Sequence, residues 1–67
     1  MKIFAERLKE LRLESKLSQR QLAEKIGMSD KAVSLWEKGE RVPSLEAASL
    51  IAKFFKVSID YLAGFED

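Results

Sequence analysis

The residues best placed to do chemistry lie in "GMSDKAVSLWEKGE", positions 27–40. After Gly27 and a short polar break, residues 30–38 carry helical spacing. At ~100° per residue, Asp30, Lys31, Ser34, Leu35 and Lys38 fall within an arc of roughly 140°. Ala32, Val33 and Trp36 fall on about the opposite side, and Glu37 lies at the border. The outward set has no packing purpose of its own, but it suits the base edges of a duplex. Lys31 is a donor, Ser34 serves as either partner, Asp30 accepts, and Leu35 offers an apolar contact for a thymine methyl. The bland alternative is an ordinary solvated helix face. Trp36 has the helical phase of a core anchor; stacking on a base would require it to face the other way.

Composition narrows the remaining chemistry. The 67 residues include no cysteine and no histidine. That removes disulfides and thiolate metal sites, together with the commonest general base and zinc ligand. No metal or cofactor is expected, and no small-molecule effector is evident. Acidic pairs such as Glu37 and Glu40 sit near a helix end, with no nucleophile–base arrangement and no implied pocket. An enzyme is therefore not expected. No apolar run has the length of a signal h-region or a membrane span, so a cytoplasmic protein without membrane contact is expected. Net charge is only +1, but residues 1–15, 16–41 and 42–67 carry +1, +2 and −2. A polyanion would meet the first two-thirds of the chain.

Five short helices must position that face. Phe4, Leu8 and Leu11 recur at i, i+4 and i+7, predicting a helix over about residues 2–15. Ser18 with Gln21 makes a capping box, S-x-x-Q, for a second helix over 19–26 whose stripe is Leu22, Ala23 and Ile26. Gly27 ends it. Ser29 caps a third helix over 30–38, with Asp30 at its positive end, and Gly39 stops it. "ERVPS" reads as a loop, after which Ser44 opens a fourth helix over 45–56. Ser58 and Asp60 open a last one over 59–63, closed by Gly64. The expectation is a single all-α domain over 1–67, compact and without repeats or linkers.

A short capped helix, a tight Gly turn and a second helix of this length form a helix-turn-helix, whose second helix enters the major groove. The stretch "LSQRQLAEKIGMSDKAVSLWEKGERVPS" resembles the Cro and phage-repressor type of helix-turn-helix, the Xre-like family of bacterial and phage regulators. The likeness runs from "FAERLKELR" to "VSIDYLAG". It rests on L-S-Q at 17–19, L-A at 22–23, Gly27, S-x-W-E at 34–37, Gly39, Arg41 and P-S at 43–44. The resemblance implies a repressor-like five-helix fold and a double-stranded DNA operator as partner. It implies base contacts from Asp30, Lys31, Ser34 and Leu35. Phosphate contacts would come from Gln19, which would also help brace the recognition helix, and from Arg20, Ser29, Lys38, the backbone at Gly39, and Arg41. It also implies a charged pair, Arg12 with Glu37, tying the first helix to the third. Asp30 departs from the family pattern, since its charge repels phosphate; contact with a cytosine amino group and a pure capping role both stand.

The fourth helix raises the question of a partner. Ala48, Ala52 and Phe55, flanked by Leu45 and Ile51, read as its core face. Ala47, Leu50 and Phe54 recur on the other side, and Tyr61 and Phe65 add apolar area. These five are expected to form a homodimer interface, the alternative being that the C-terminal segment covers Leu50 and Phe54. Two recognition helices about 34 Å apart would meet successive major grooves of a palindrome. The sequence thus points to a transcriptional regulator acting by occupancy, with a repressor that competes with polymerase expected and an activator that contacts it as the open alternative. An antitoxin or restriction–modification controller of the same fold, or an interaction module that has lost DNA, are the alternatives.

Overall fold

The computed structural model describes residues 2–66 and contains five α-helices. They are α1 (Lys2–Glu14), α2 (Gln19–Ile26), α3 (Asp30–Glu37), α4 (Leu45–Phe55) and α5 (Ile59–Ala63). The molecule measures 27 × 23 × 20 Å. α1, α3 and α4 end one residue before the expected limits, because Ser15, Lys38 and Lys56 belong to the closing turns. Among the described residues no helix is long and apolar enough to cross a membrane.

Start signals act as the sequence predicts. Ser18, Ser29, Ser44 and Ser58 all hold extended backbone angles, and each hydroxyl accepts from the amide three residues on. The Ser18–Gln21 box is reciprocal: the Gln21 amide donates to Ser18 Oγ at 3.0 Å, and Gln21 Oε1 accepts from the Ser18 amide at 2.8 Å. Each cap satisfies a donor that the helix leaves without a partner.

The stop signals share a geometry that the sequence reveals only in part. All five helices close with a residue in the left-handed region, followed by a residue whose amide reaches back five positions. Gly27, Gly39 and Gly64 hold three of these positions, as composition suggests; Lys16 and Lys56, both at φ 59°, hold the others. A lysine there pays the steric cost that glycine avoids.

One side chain from each helix meets at the centre. Leu8, Leu22, Val33, Ile51 and Leu62 are the largest fully buried residues. α1 packs on α3 and α5, α2 packs on α3 and α4, and α4 closes against α5. Trp36, only 3% exposed, fills the space between α3 and this centre, as its phase predicts. α4 corrects two expectations. Ala47 is 2% exposed and belongs to the core beside Ile51 and Ala52, so it cannot serve as a free dimer contact. Leu45, expected at the core flank, is instead 75% exposed, while Ala48 and Phe55 are half-buried. The buried arc of α4 is rotated because both α2 and α5 press on it, and a single-helix pattern does not record a second neighbour. Tyr61 is also engaged within the chain. The Arg7 guanidinium lies 4.3 Å from its ring centroid and donates to its carbonyl, and also to the Glu66 carbonyl at 2.7 Å.

The anchor of α3 is ionic. Arg12 Nε and Nη2 donate to the two Glu37 carboxylate oxygens at 2.7 and 2.9 Å, a bidentate pair. Their side chains are 10% and 4% exposed. Arg12 Nη1 also donates to the Leu17 carbonyl at 2.8 Å, so the same guanidinium holds the α1–α2 turn. Hydrogen bonding by Glu37 raises the Arg12 pKa above its ordinary value, outweighing the lowering by burial. A raised pKa contributes stability that is lost only as pH climbs through the arginine range, so at neutral pH the cation stays in place.

Removing one partner strands a buried charge. Glu37→Ala is expected to lose about 3–5 kcal/mol of stability in thermal or urea unfolding. A loss below about 1 kcal/mol would show that the pair is dispensable. Lys56→Gly, which relieves the left-handed strain, is expected to gain about 1 kcal/mol in the same assay.

Candidate nucleic-acid interface

α2 and α3 meet through the tight turn at Gly27, where φ is 71°. No atom lies within 4 Å of a Cβ built at Gly27, so the requirement there is for backbone conformation alone. The turn is locked by the Met28 amide donating to the Ala23 carbonyl at 2.9 Å, while Met28 itself packs on the core. Ser29 then starts α3, its hydroxyl accepting from the Ala32 amide at 3.1 Å. With Ser29 as the cap, the exposed Asp30 carboxylate stands in the first turn, favourable to the helix dipole but not required to satisfy an amide.

The outward face of α3 matches its expected phase. Asp30, Lys31 and Lys38 are exposed, Ser34 and Leu35 are half-buried, and Val33 and Trp36 point into the core. At the far end, the Glu40 amide donates to the Leu35 carbonyl at 3.0 Å and Gly39 adopts φ 75°. This closing turn sends Lys38 and Arg41 out as exposed cations beyond the helix.

Gln19 is joined to the anchor. Its Nε2 donates to Glu37 Oε1 at 3.2 Å, leaving one amide hydrogen free for another acceptor. The start of α2 is thereby tied to the end of α3 through the carboxylate that α1 holds. The resemblance implies Gln19 as a brace for the third helix and Arg12–Glu37 as a pair; that the brace ends on the Glu37 carboxylate, and that the Leu17 carbonyl is the third acceptor of Arg12, emerge only in three dimensions. Arg20, beside Gln19, lies 3.9 Å from Glu24 with both side chains largely exposed. Such a loose surface pair contributes little, so the guanidinium is free to move to a stronger anion. Gln19, Arg20, Ser29, Lys38, Gly39 and Arg41 thus border α3 at its two ends and on the neighbouring helix start. The five residues named from the sequence for a dimer contact do not gather in this way: Ala47 is core, Tyr61 is held by Arg7, and Leu50, Phe54 and Phe65 remain exposed.

Comparison with known proteins bears directly on this arrangement. A helix-turn-helix family profile (HTH_3) matches residues 8–62. The chain is 44% identical over 64 residues to the HTH-type transcriptional activator BcrR of Enterococcus faecalis, spanning 96% of this chain but only 31% of BcrR. It is 43% identical over 61 residues to MJ0272 of Methanocaldococcus jannaschii, an HTH-type transcriptional regulator, covering 91% of this chain and 92% of the relative. Its backbone is similar to that of the P22 c2 repressor in complex with a synthetic operator, with a TM-score of 0.90 and 30% identity over 98% of this chain and 100% of that one. A capped helix pair, a face of mixed donors and acceptors and these likenesses converge: the chain belongs to the Xre-like helix-turn-helix family of DNA-binding transcriptional regulators.

Proposed function

We propose that the chain binds a palindromic operator in double-stranded DNA as a homodimer and represses transcription by occupying that site. α3 lies in the major groove. Asp30, Lys31, Ser34 and Leu35 read base edges, while Gln19, Arg20, Ser29, Lys38, the Gly39 backbone and Arg41 hold phosphates. The observation that carries this reading is the split of α3 into a locked inner side, Val33 and Trp36, and an outer side rich in hydrogen-bonding groups. The likeness to a repressor bound to an operator supports it.

Electrostatics fits a specific binder that is not a general polyanion sponge. Net charge is +1, and Asp30 adds a negative charge within the reading face itself. Affinity must therefore come from a few placed cations, doubled by symmetry. One module makes few phosphate contacts and would bind feebly alone. Two copies engaging successive major grooves about 34 Å apart gain the second contact at high effective concentration.

Selection of bound duplexes from a random pool is the direct test, and a symmetric consensus is the expected result. Lys31→Ala should then relax preference at one position in each half-site. Uniformly weaker binding with intact preference would make Lys31 a phosphate contact instead. With Arg20, Lys38 and Arg41 as the cations on each copy, the log–log salt slope is expected near about −5, or about 10³ in affinity between 50 and 200 mM salt. A flat salt response would instead favour an interaction module without a nucleic-acid partner.

A further inference from the structure

Two helices close on a lysine where the other three use glycine. Lys16, after α1, and Lys56, after α4, both hold φ 59°. A side chain with a Cβ is strained there, and glycine would make the same turn at lower cost. What glycine cannot supply is a charge. Strain kept in a residue that could be replaced without it points to a task for the side chain.

Lys16 stands in the α1–α2 turn, and that turn is bound to the end of α3. The Lys16 amide donates to the Leu13 carbonyl at 3.0 Å and the Leu17 amide to the Arg12 carbonyl at 3.1 Å, so the point where the Lys16 side chain leaves the backbone is fixed. The Leu17 carbonyl accepts from Arg12 at 2.8 Å, and the same guanidinium grips Glu37. Gln19, three residues after Lys16, reaches that carboxylate at 3.2 Å. Glu37 directly precedes Lys38, so the turn is tied to the end of α3 that carries the exposed cations Lys38 and Arg41.

The charge at Lys16 is not used within the chain. Lys16 is exposed, and among the described residues its ammonium pairs with no carboxylate, not even that of Glu14, the nearest acid in sequence. From Lys16 to Arg20 the chain carries two cations and no acid. Resting on the operator reading above, we propose that Lys16 is a further phosphate contact, gripping the duplex backbone beside the phosphate held at Gln19 and Arg20. An ammonium on a flexible four-carbon stem demands little of the geometry. Phosphates recur about every 3.4 Å of axis along one strand, so a neighbour of the one at Gln19 is close by.

Lys56 makes the contrast. It shares the conformation, but it leads into α5, which packs on α1 and α4. It also lies in residues 42–67, which carry a net −2 and do not favour a polyanion.

The two lysines can be tested against each other. Lys16→Gly and Lys56→Gly should each raise Tm by about 4–8 °C as the strain is relieved. Only Lys16→Gly should weaken binding to the duplex recovered by selection, by about tenfold or more at 0.1 M salt. The loss should recur on random-sequence duplex, since a phosphate contact is indifferent to the base. The salt slope of about −5 counts three cations on each of two copies; a fourth steepens it to about −7, and Lys16→Gly should return it to about −5. Lys16→Arg should keep the wild-type slope, and Lys16→Gln should lose affinity without gaining Tm. A variant that melts higher yet binds less tightly does not owe its loss to unfolding. Unchanged affinity and slope in Lys16→Gly, a lowered Tm in that variant, or an equal loss of binding in Lys56→Gly would overturn the assignment and leave the operator reading standing. A flat salt response in the wild type would sink both.

Discussion

The structure depends on one buried contact, the two-pronged bond from Arg12 to Glu37. A charge taken out of water is tolerated only when its hydrogen bonds are completed by partners of good geometry. Here the guanidinium spends all three of its nitrogens on Glu37 and Leu17, and the carboxylate takes a further bond from Gln19. Three helices and one turn are therefore referred to a single point. An apolar contact could hold α3 against the core equally strongly, but it would tolerate sliding and rotation. Directional bonds resist both, and so fix the orientation of the outward face of α3.

The rest of the chain makes that rigidity affordable in a domain near the lower size limit for a single core. One large side chain from each helix meets at the centre, so no helix is held by its neighbours in sequence alone. Serine caps four helix starts, and all five ends close by the same backward-reaching turn. Capping matters most in helices of 5 to 13 residues, where end groups are a large fraction of the whole. Each closing turn also carries the chain into the next element at a fixed angle. At the end of α3 this places Lys38 and Arg41 beyond the outward face; at the end of α5 it holds out Phe65.

Function follows from separating two kinds of surface. The charged and hydroxyl-bearing side chains occupy the outward edge of α3 and the segments around it. Of the exposed large apolar residues, Val42 and Leu45 line an apolar groove where the α3–α4 loop approaches α5. The loop after α3 carries residues of both kinds, Arg41 on one side and Val42 on the next.

The amino-acid sequence by itself determined what depends on near neighbours along the chain. The serine caps, the Ser18–Gln21 box, the glycine stops and the inward phase of Val33 and Trp36 all act over three or four residues, and all were legible. The resemblance supplied the Arg12–Glu37 pair, which no local pattern could reveal across 25 residues. Only the tertiary structure decided which arc of α4 is buried, because α2 and α5 press on it from different sides and make Ala47 core while leaving Leu45 in solvent. It likewise decided that Tyr61 is claimed by Arg7 and that Gln19 reaches Glu37. Left-handed lysines at 16 and 56 carry no compositional signal, since the surrounding packing imposes a conformation that their side chains would not choose. Local bonding can be read one turn at a time; the burial of a face depends on every element that arrives against it.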